Sequence, residues 1–109
     1  MAQFLINLQV TRIGMLTEGP TPEEAQIVSE HFAHLQRLQA AGVLILAGRT
    51  LNNDETTMGL AIINAEDEAA AQAILASDPV IINNVMRGTI FPYRVALISE
   101  GNAMESSAT

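Results

Sequence analysis

Three short runs of the chain are apolar at every position: Val43-Leu44-Ile45-Leu46, Leu60-Ala61-Ile62-Ile63 and Val95-Ala96-Leu97-Ile98. Each is too short for a helix and rich in β-formers, so each reads as a strand with apolar side chains on both faces. Only two segments have helical length, and two helices cover one face of a sheet. The other face would then expose more than the roughly 300–600 Å² of contiguous apolar surface usual on a monomer. The economical solution is a second copy packed sheet to sheet, so the pattern alone predicts a homodimer.

Between these runs the period changes from two to 3.6. Phe4, Ile6, Leu8 and Val10 alternate with Leu5, Asn7 and Gln9, which marks a half-buried strand over residues 3–10. Thr21-Pro22-Glu23-Glu24 carries an N-cap, a proline at the first helical position and a capping-box glutamate. The helix it opens should run to about Ala41, with Gly42 in the left-handed position that ends it. Strands follow over 43–47 and 57–63. Asn64 is the expected cap of a second helix over 65–76, which must stop near Ser77-Asp78 because Pro79 disfavours helical geometry before it. A short helical or irregular piece over 80–86 leads to a last strand over 89–98, where Pro92 marks an edge or a bulge. The order β-α-β-β-α-β is that of a ferredoxin-like α+β fold: a four-stranded antiparallel sheet with two helices on one face. Residues 1–98 form the expected domain and 99–109 a flexible tail, with Met104 free to dock on a neighbouring subunit.

Composition narrows the chemistry. The 109 residues contain no cysteine and no lysine, which excludes a thiol nucleophile, a thiolate metal site and a Schiff-base amine. With five arginines against twelve acidic residues and a net charge of −7, the chain lacks the footprint of a nucleic-acid or anionic-membrane binder. No basic segment precedes a long apolar one at the N-terminus, so the expected location is cytoplasmic.

The remaining candidates are few. On a helical wheel of about 100° per residue, His31 falls within the apolar arc of Ile27, Val28, Phe32, Leu35 and Leu38, and His34 at its margin. His31 reads as a packed core histidine or as an acid–base group tuned by apolar surroundings. A His-x-x-His metal site is a third reading that lacks a partner motif. Asp78 reads as a helix-exit residue or as a carboxylate reaching the first-helix histidine. Arg12, Arg49 and Arg87 sit at element ends, where a surface ion pair or an anionic ligand group would engage them.

His31 followed by Leu35, Leu38 and Gly42, then Val43–Gly48 ending in Ala-Gly, resembles the signature of the YCII-related (YciI-like) family. Asp78-Pro79 and Pro92-Tyr93 fall where that family has Asp-Pro and Pro-aromatic pairs. The chain departs at Arg49, where the family often has proline, and at Asn83-Asn84, where glycine is common. The resemblance, over roughly residues 3–98, implies a dimeric α+β barrel with a His–Asp pair lining a pocket, here His31 and Asp78. It also implies proton-transfer chemistry of the kind linked to a few relatives, on hydroxylated chlorinated rings. Lactone isomerases and cofactor-free monooxygenases belong to the wider superfamily.

Two readings result. One is an enzyme acting on a small aromatic or lactone-like molecule without metal or organic cofactor. In it His31 and Asp78 are catalytic, and Arg49, Arg12 and His34 hold the substrate. The other is a non-catalytic small-ligand-binding or accessory module. In both, the partners are a second copy and a small molecule, with no nucleic acid and no membrane.

Overall fold

The computed structural model describes residues 1–99 and 101. Its elements are β1 (Ala2–Val10), α1 (Gly14–Thr17), α2 (Pro22–Ala40), β2 (Leu44–Arg49), β3 (Gly59–Ala65), α3 (Glu68–Ala76), α4 (Pro79–Ile82) and β4 (Met86–Tyr93). The four strands form one antiparallel sheet in the order β2-β3-β1-β4. This is the ferredoxin-like α+β arrangement, with the short α1 added and α4 standing where a short helical or irregular piece was expected. Among the described residues no helix is long and apolar enough to cross a membrane.

The alternation along β1 sorts the sheet. Phe4, Ile6 and Leu8 are buried, and the register sets them beside Ile63, Ala61 and Gly59 of β3. These side chains join Ile27, Ala71, Leu75 and Val80 from the helices in one core. On the same face, in β4, Gly88 faces Leu75. A Cβ there would lie 2.8 Å from a Leu75 methyl, so the missing side chain is what lets α3 settle against β4. The opposite face of the sheet has no helix on it. There the register clusters Leu5 with Ile62 and Phe91, and Leu46 with Ile62. Leu46, Leu60, Phe91 and Tyr93 are exposed.

Helix signals of the sequence act as expected at α2. Thr21 accepts the Glu24 N–H at 3.1 Å and its own N–H donates to Glu24 Oε1 at 2.9 Å. Gly42 ends the helix at φ +77°. Three expectations are corrected. Asn64 does not cap the second helix. It lies inside β3, where its N–H pairs with the Val43 carbonyl, and the cap is Asp67, which accepts the Ala70 N–H at 2.9 Å. β2 runs to Arg49 and β3 begins at Gly59, both displaced toward the C-terminus of the expected spans.

The last strand is displaced the other way, to Met86–Tyr93. Its ladder to β1 runs from Val10↔Met86 to Gln3↔Tyr93, and two residues further on the Val95 N–H donates to the Gln3 side chain at 2.8 Å. Pro92 sits in this edge strand, where its missing N–H removes no ladder bond from a further neighbour. The apolar run 95–98 is therefore outside the sheet, with Leu97 95 % exposed. The tail expected over 99–109 lies, apart from Ser99 and Gly101, outside the described residues.

The corrected cap has a measurable consequence. Asp67→Ala should destabilise the protein by about 1 kcal/mol in urea unfolding. Asn64→Ala, whose side chain makes one long 3.4 Å contact to the Gly42 carbonyl, should cost clearly less. The reverse order would restore Asn64 as the cap.

Candidate active site

α2 does not press flat on the sheet. Beneath it, between the helical layer and strands β1–β3, lies a cavity of about 400 Å³. That is within the roughly 300–1,000 Å³ of small-molecule sites. Its walls are apolar: Leu8, Ala61 and Ile63 from the sheet, Val28, Leu35 and Leu38 from α2. Met15 and Leu16 of α1 close one side, and Phe32, 62 % exposed despite its place in the apolar arc, stands at the edge where helix and sheet diverge. The short α1 was not legible as an element, because four residues show no period.

Polar groups in this wall are few, and His31 and Asp78 meet there. His31 Nδ1 lies 2.8 Å from Asp78 Oδ1 and 2.7 Å from Oδ2, with the two side chains 14 % and 6 % accessible. The aspartate is positioned by backbone. It caps α4, where Pro79 occupies the first turn and the wholly buried Val80 anchors the corner, and its Oδ1 accepts the Val80 N–H at 3.0 Å. Its own N–H is held by the Leu75 carbonyl at the end of α3. Asn84 follows at φ +56°, the left-handed geometry that asparagine tolerates, at the turn where the family commonly has glycine. A carboxylate only accepts hydrogen bonds, so the proton shared with it belongs to His31 Nδ1. Nε2 then carries the lone pair, and it makes no hydrogen bond among the described residues. An imidazole oriented this way can present Nε2 to the cavity as a base, with a carboxylate beside it to stabilise the protonated form.

His34, one turn along, also lines the cavity. Its Nε2 is buried without a hydrogen-bond partner. Burial holds this imidazole below its ordinary value, and the Arg37 charge adds to the effect against the pull of Asp78. It is therefore a neutral ring near pH 7. Thr57 is buried in the wall, but its hydroxyl is engaged, donating to the Asn52 carbonyl at 2.7 Å and accepting the Asp54 N–H at 3.1 Å.

The three arginines singled out in the sequence lie elsewhere or are engaged; Arg87 is outside the cavity wall and donates to the Val10 carbonyl at 3.0 Å. Arg12 is not in the cavity wall. Its Nε and Nη2 donate to the two carboxylate oxygens of Glu24 at 2.9 and 2.6 Å, and the Arg12 guanidinium, with the Thr21 N–H, holds the Glu24 carboxyl down at about 2. This pair ties the β1–α2 connection, which carries α1, to the start of α2. Arg49 lies at the rim and folds back on its own loop, donating to the Thr50 carbonyl at 2.8 Å, to Asn53 Oδ1 at 3.2 Å and to the Asn52 carbonyl at 3.4 Å. Among the described residues no three His, Cys, Asp or Glu side chains converge as a metal site, which leaves His31-x-x-His34 without a third ligand.

The model of the YCII-related domain matches residues 10–96. Among solved structures the chain is similar to 5-chloro-2-hydroxyhydroquinone dehydrochlorinase from Burkholderia phenoliruptrix AC1100 in complex with 2,5-dihydroxybenzoquinone. The identity is 20 %, the match covers 84 % of this chain and 93 % of that one, and the TM-score is 0.64. A more distant likeness is to SnoaB, a cofactor-independent oxygenase from Streptomyces nogalater, with 14 % identity, coverage of 90 % and 97 %, and a TM-score of 0.41. No curated protein matches the sequence. The first likeness bears on the fold, and the second is too distant to carry an argument.

The neutral His34 has a pH signature. The unfolded ring takes up a proton near its ordinary 6.5 while the folded ring resists, so stability from this position is intact above about pH 6.5 and falls below it. Urea titrations should show wild type losing more stability than His34→Gln between about pH 7 and pH 5. Parallel profiles, or a steeper loss in the variant, would contradict the burial of a neutral ring.

Proposed function

The chain belongs to the YCII-related family, and from that premise and the geometry of the cavity we propose that it is an enzyme of acid–base chemistry on a small organic molecule. His31 is the base and acid, and Asp78 orients and stabilises it. The observation that carries this reading is the His31–Asp78 contact at 2.7–2.8 Å in the wall of an apolar cavity. A proton leaves a hydroxyl or an activated carbon of the substrate for His31 Nε2, and the imidazolium formed is paired with the Asp78 carboxylate. The electron pair left on the substrate then has two outcomes. It takes the proton back at another atom, an isomerisation, or it expels a leaving group as an elimination. Such transfer supplies about 10²–10⁴-fold of rate and calls on no cofactor. The flat hydroxylated ring named for the Burkholderia protein is of a size that a cavity of about 400 Å³ admits. His34 is the side chain placed to read a second polar group of the substrate.

The reading is tested by hydrogen exchange. Resorcinol, an enolisable ring, is incubated with the protein in heavy water and its ring C–H signals are followed by NMR. Wild type should accelerate deuterium uptake about 10²-fold or more over His31→Gln, with Asp78→Asn between them. Equal rates in wild type and His31→Gln would favour the non-catalytic binding module.

We also propose that the helix-free face of the sheet packs against a second copy. The support is Leu46, Leu60, Phe91 and Tyr93, apolar side chains that a lone subunit leaves exposed around Leu5 and Ile62 on the same face. Light scattering should return twice the 11.7 kDa chain mass for wild type and a single chain mass for Phe91→Glu. A wild-type monomer at micromolar concentration would remove the dimer.

A further inference from the structure

An apolar run and an apolar groove stand open at opposite edges of the sheet. The run is Val95–Ile98, past the end of β4, with Leu97 95 % and Ile98 63 % exposed. The groove lies between α2 and the edge strand β2, and its walls include Phe32, Leu35, Leu44, Leu46 and Ala47. Phe32 and Leu46 are more than half uncovered there by the margin their neighbours leave, 62 % and 50 % exposed. Phe32, Leu35 and Ala47 also wall the cavity that holds His31, so whatever fills the groove covers that side of the cavity. The chain cannot fill it with its own run. Leu97, four residues past Tyr93, reaches at most about 14 Å from the end of β4. In the order β2-β3-β1-β4 the outer side of β2 lies four strand spacings from β4, about 19 Å at roughly 4.8 Å each. Two sheets packed face to face stand only about 10 Å apart, which the same four residues span.

The helix-free face itself says how a second copy would lie on it. It is apolar at one end, where Leu5 stands beside Ile62 and Phe91, and polar at the other, where Gln9 stands beside Arg87. At full overlap, a two-fold axis across the strands would lay each polar end on an apolar one, at the cost of stripping water from Gln9 and Arg87. An axis along the strands matches like ends and reverses the strand order, which stacks each β4 over the partner's β2. The end of β4 then stands above the edge that borders the groove. We propose that the run 95–98 of one copy fills the groove between α2 and β2 of the other, with the partner's Leu97 against Phe32, so that each copy closes one side of the other's cavity. This rests on the face-to-face packing of two copies proposed above. It accounts for two exposures at once, that of Phe32 beside the cavity and that of Leu97 beyond the sheet.

The chain has no cysteine, so a single engineered pair reads the contact. Phe32→Cys and Leu97→Cys, both at exposed positions, are combined in the full chain, oxidised at micromolar concentration and run on a denaturing gel without reductant. A disulfide needs Cβ atoms about 3.5–4.5 Å apart. The double variant should move to twice the 11.7 kDa chain mass, each single variant should stay at one chain mass, and adding Phe91→Glu to the pair should abolish the shift. A double variant that stays at one chain mass overturns the inference, whether its thiols are free or joined within the chain. So does a shift as large in either single variant, or one that survives Phe91→Glu. Failure of the two-copy packing looks different: light scattering then finds wild type as one chain, whereas a dimeric wild type without the cross-link removes the exchanged run alone.

Discussion

Asp78 is the point on which the site depends. Its carboxylate is almost out of water, a position charged groups hold only when fully hydrogen-bonded. One oxygen takes the Val80 N–H, and both oxygens lie against His31 Nδ1. The first contact is local, two residues along the chain, and orients the carboxylate on the α3–α4 corner. The second spans 47 residues and joins that corner to α2. Removing either partner leaves a desolvated polar group behind, which costs about 1–3 kcal/mol and more for a charge. The geometry of the His31 ring is thus bound to the packing of the helical layer.

Packing explains why a cavity exists beside this contact. Leu75 enters the space that Gly88 leaves open, and Val80 and Ala71 are wholly buried, so α3 and α4 sit close to the sheet near β4. Toward β2 the sheet offers Ala47, Gly48 and Gly59, small residues that do not fill the gap under α2. The connection carrying Met15 and Leu16 closes that gap from one side. It is tied at its base by Arg12 and Glu24, an exposed pair whose worth lies in fixing the chain path more than in stability.

Much of this was legible in local signals. Thr21, Pro22, Glu24 and Gly42 act within one turn of the residues they instruct, and they mark α2 at both ends. Strand limits were less legible, because a strand ends where its partner's hydrogen bonds end. Val95–Ile98 has the composition of a strand, yet the Gln3 side chain takes the Val95 N–H, and the run stays outside. Asn64 and Asp67 are both good caps in composition. The three-residue difference was decided by the pairing of Asn64 with Val43. The His31–Asp78 contact joins residues with no local relation, and the family resemblance, not spacing, brought them together. The engagements of Arg12 and Arg49 depend on side-chain geometry and left no mark in the sequence.

The central claim is that Asp78 holds the His31 proton on Nδ1, which leaves Nε2 as the nitrogen that can act as the proposed base. Nitrogen-15 NMR of the imidazole reads this directly, since protonated and lone-pair nitrogens resonate far apart. At a pH where the ring is neutral, wild type should show Nδ1 protonated and Nε2 bare, and Asp78→Leu should lose that bias. A ring protonated on Nε2 in wild type, or a tautomer indifferent to Asp78→Leu, would contradict the account.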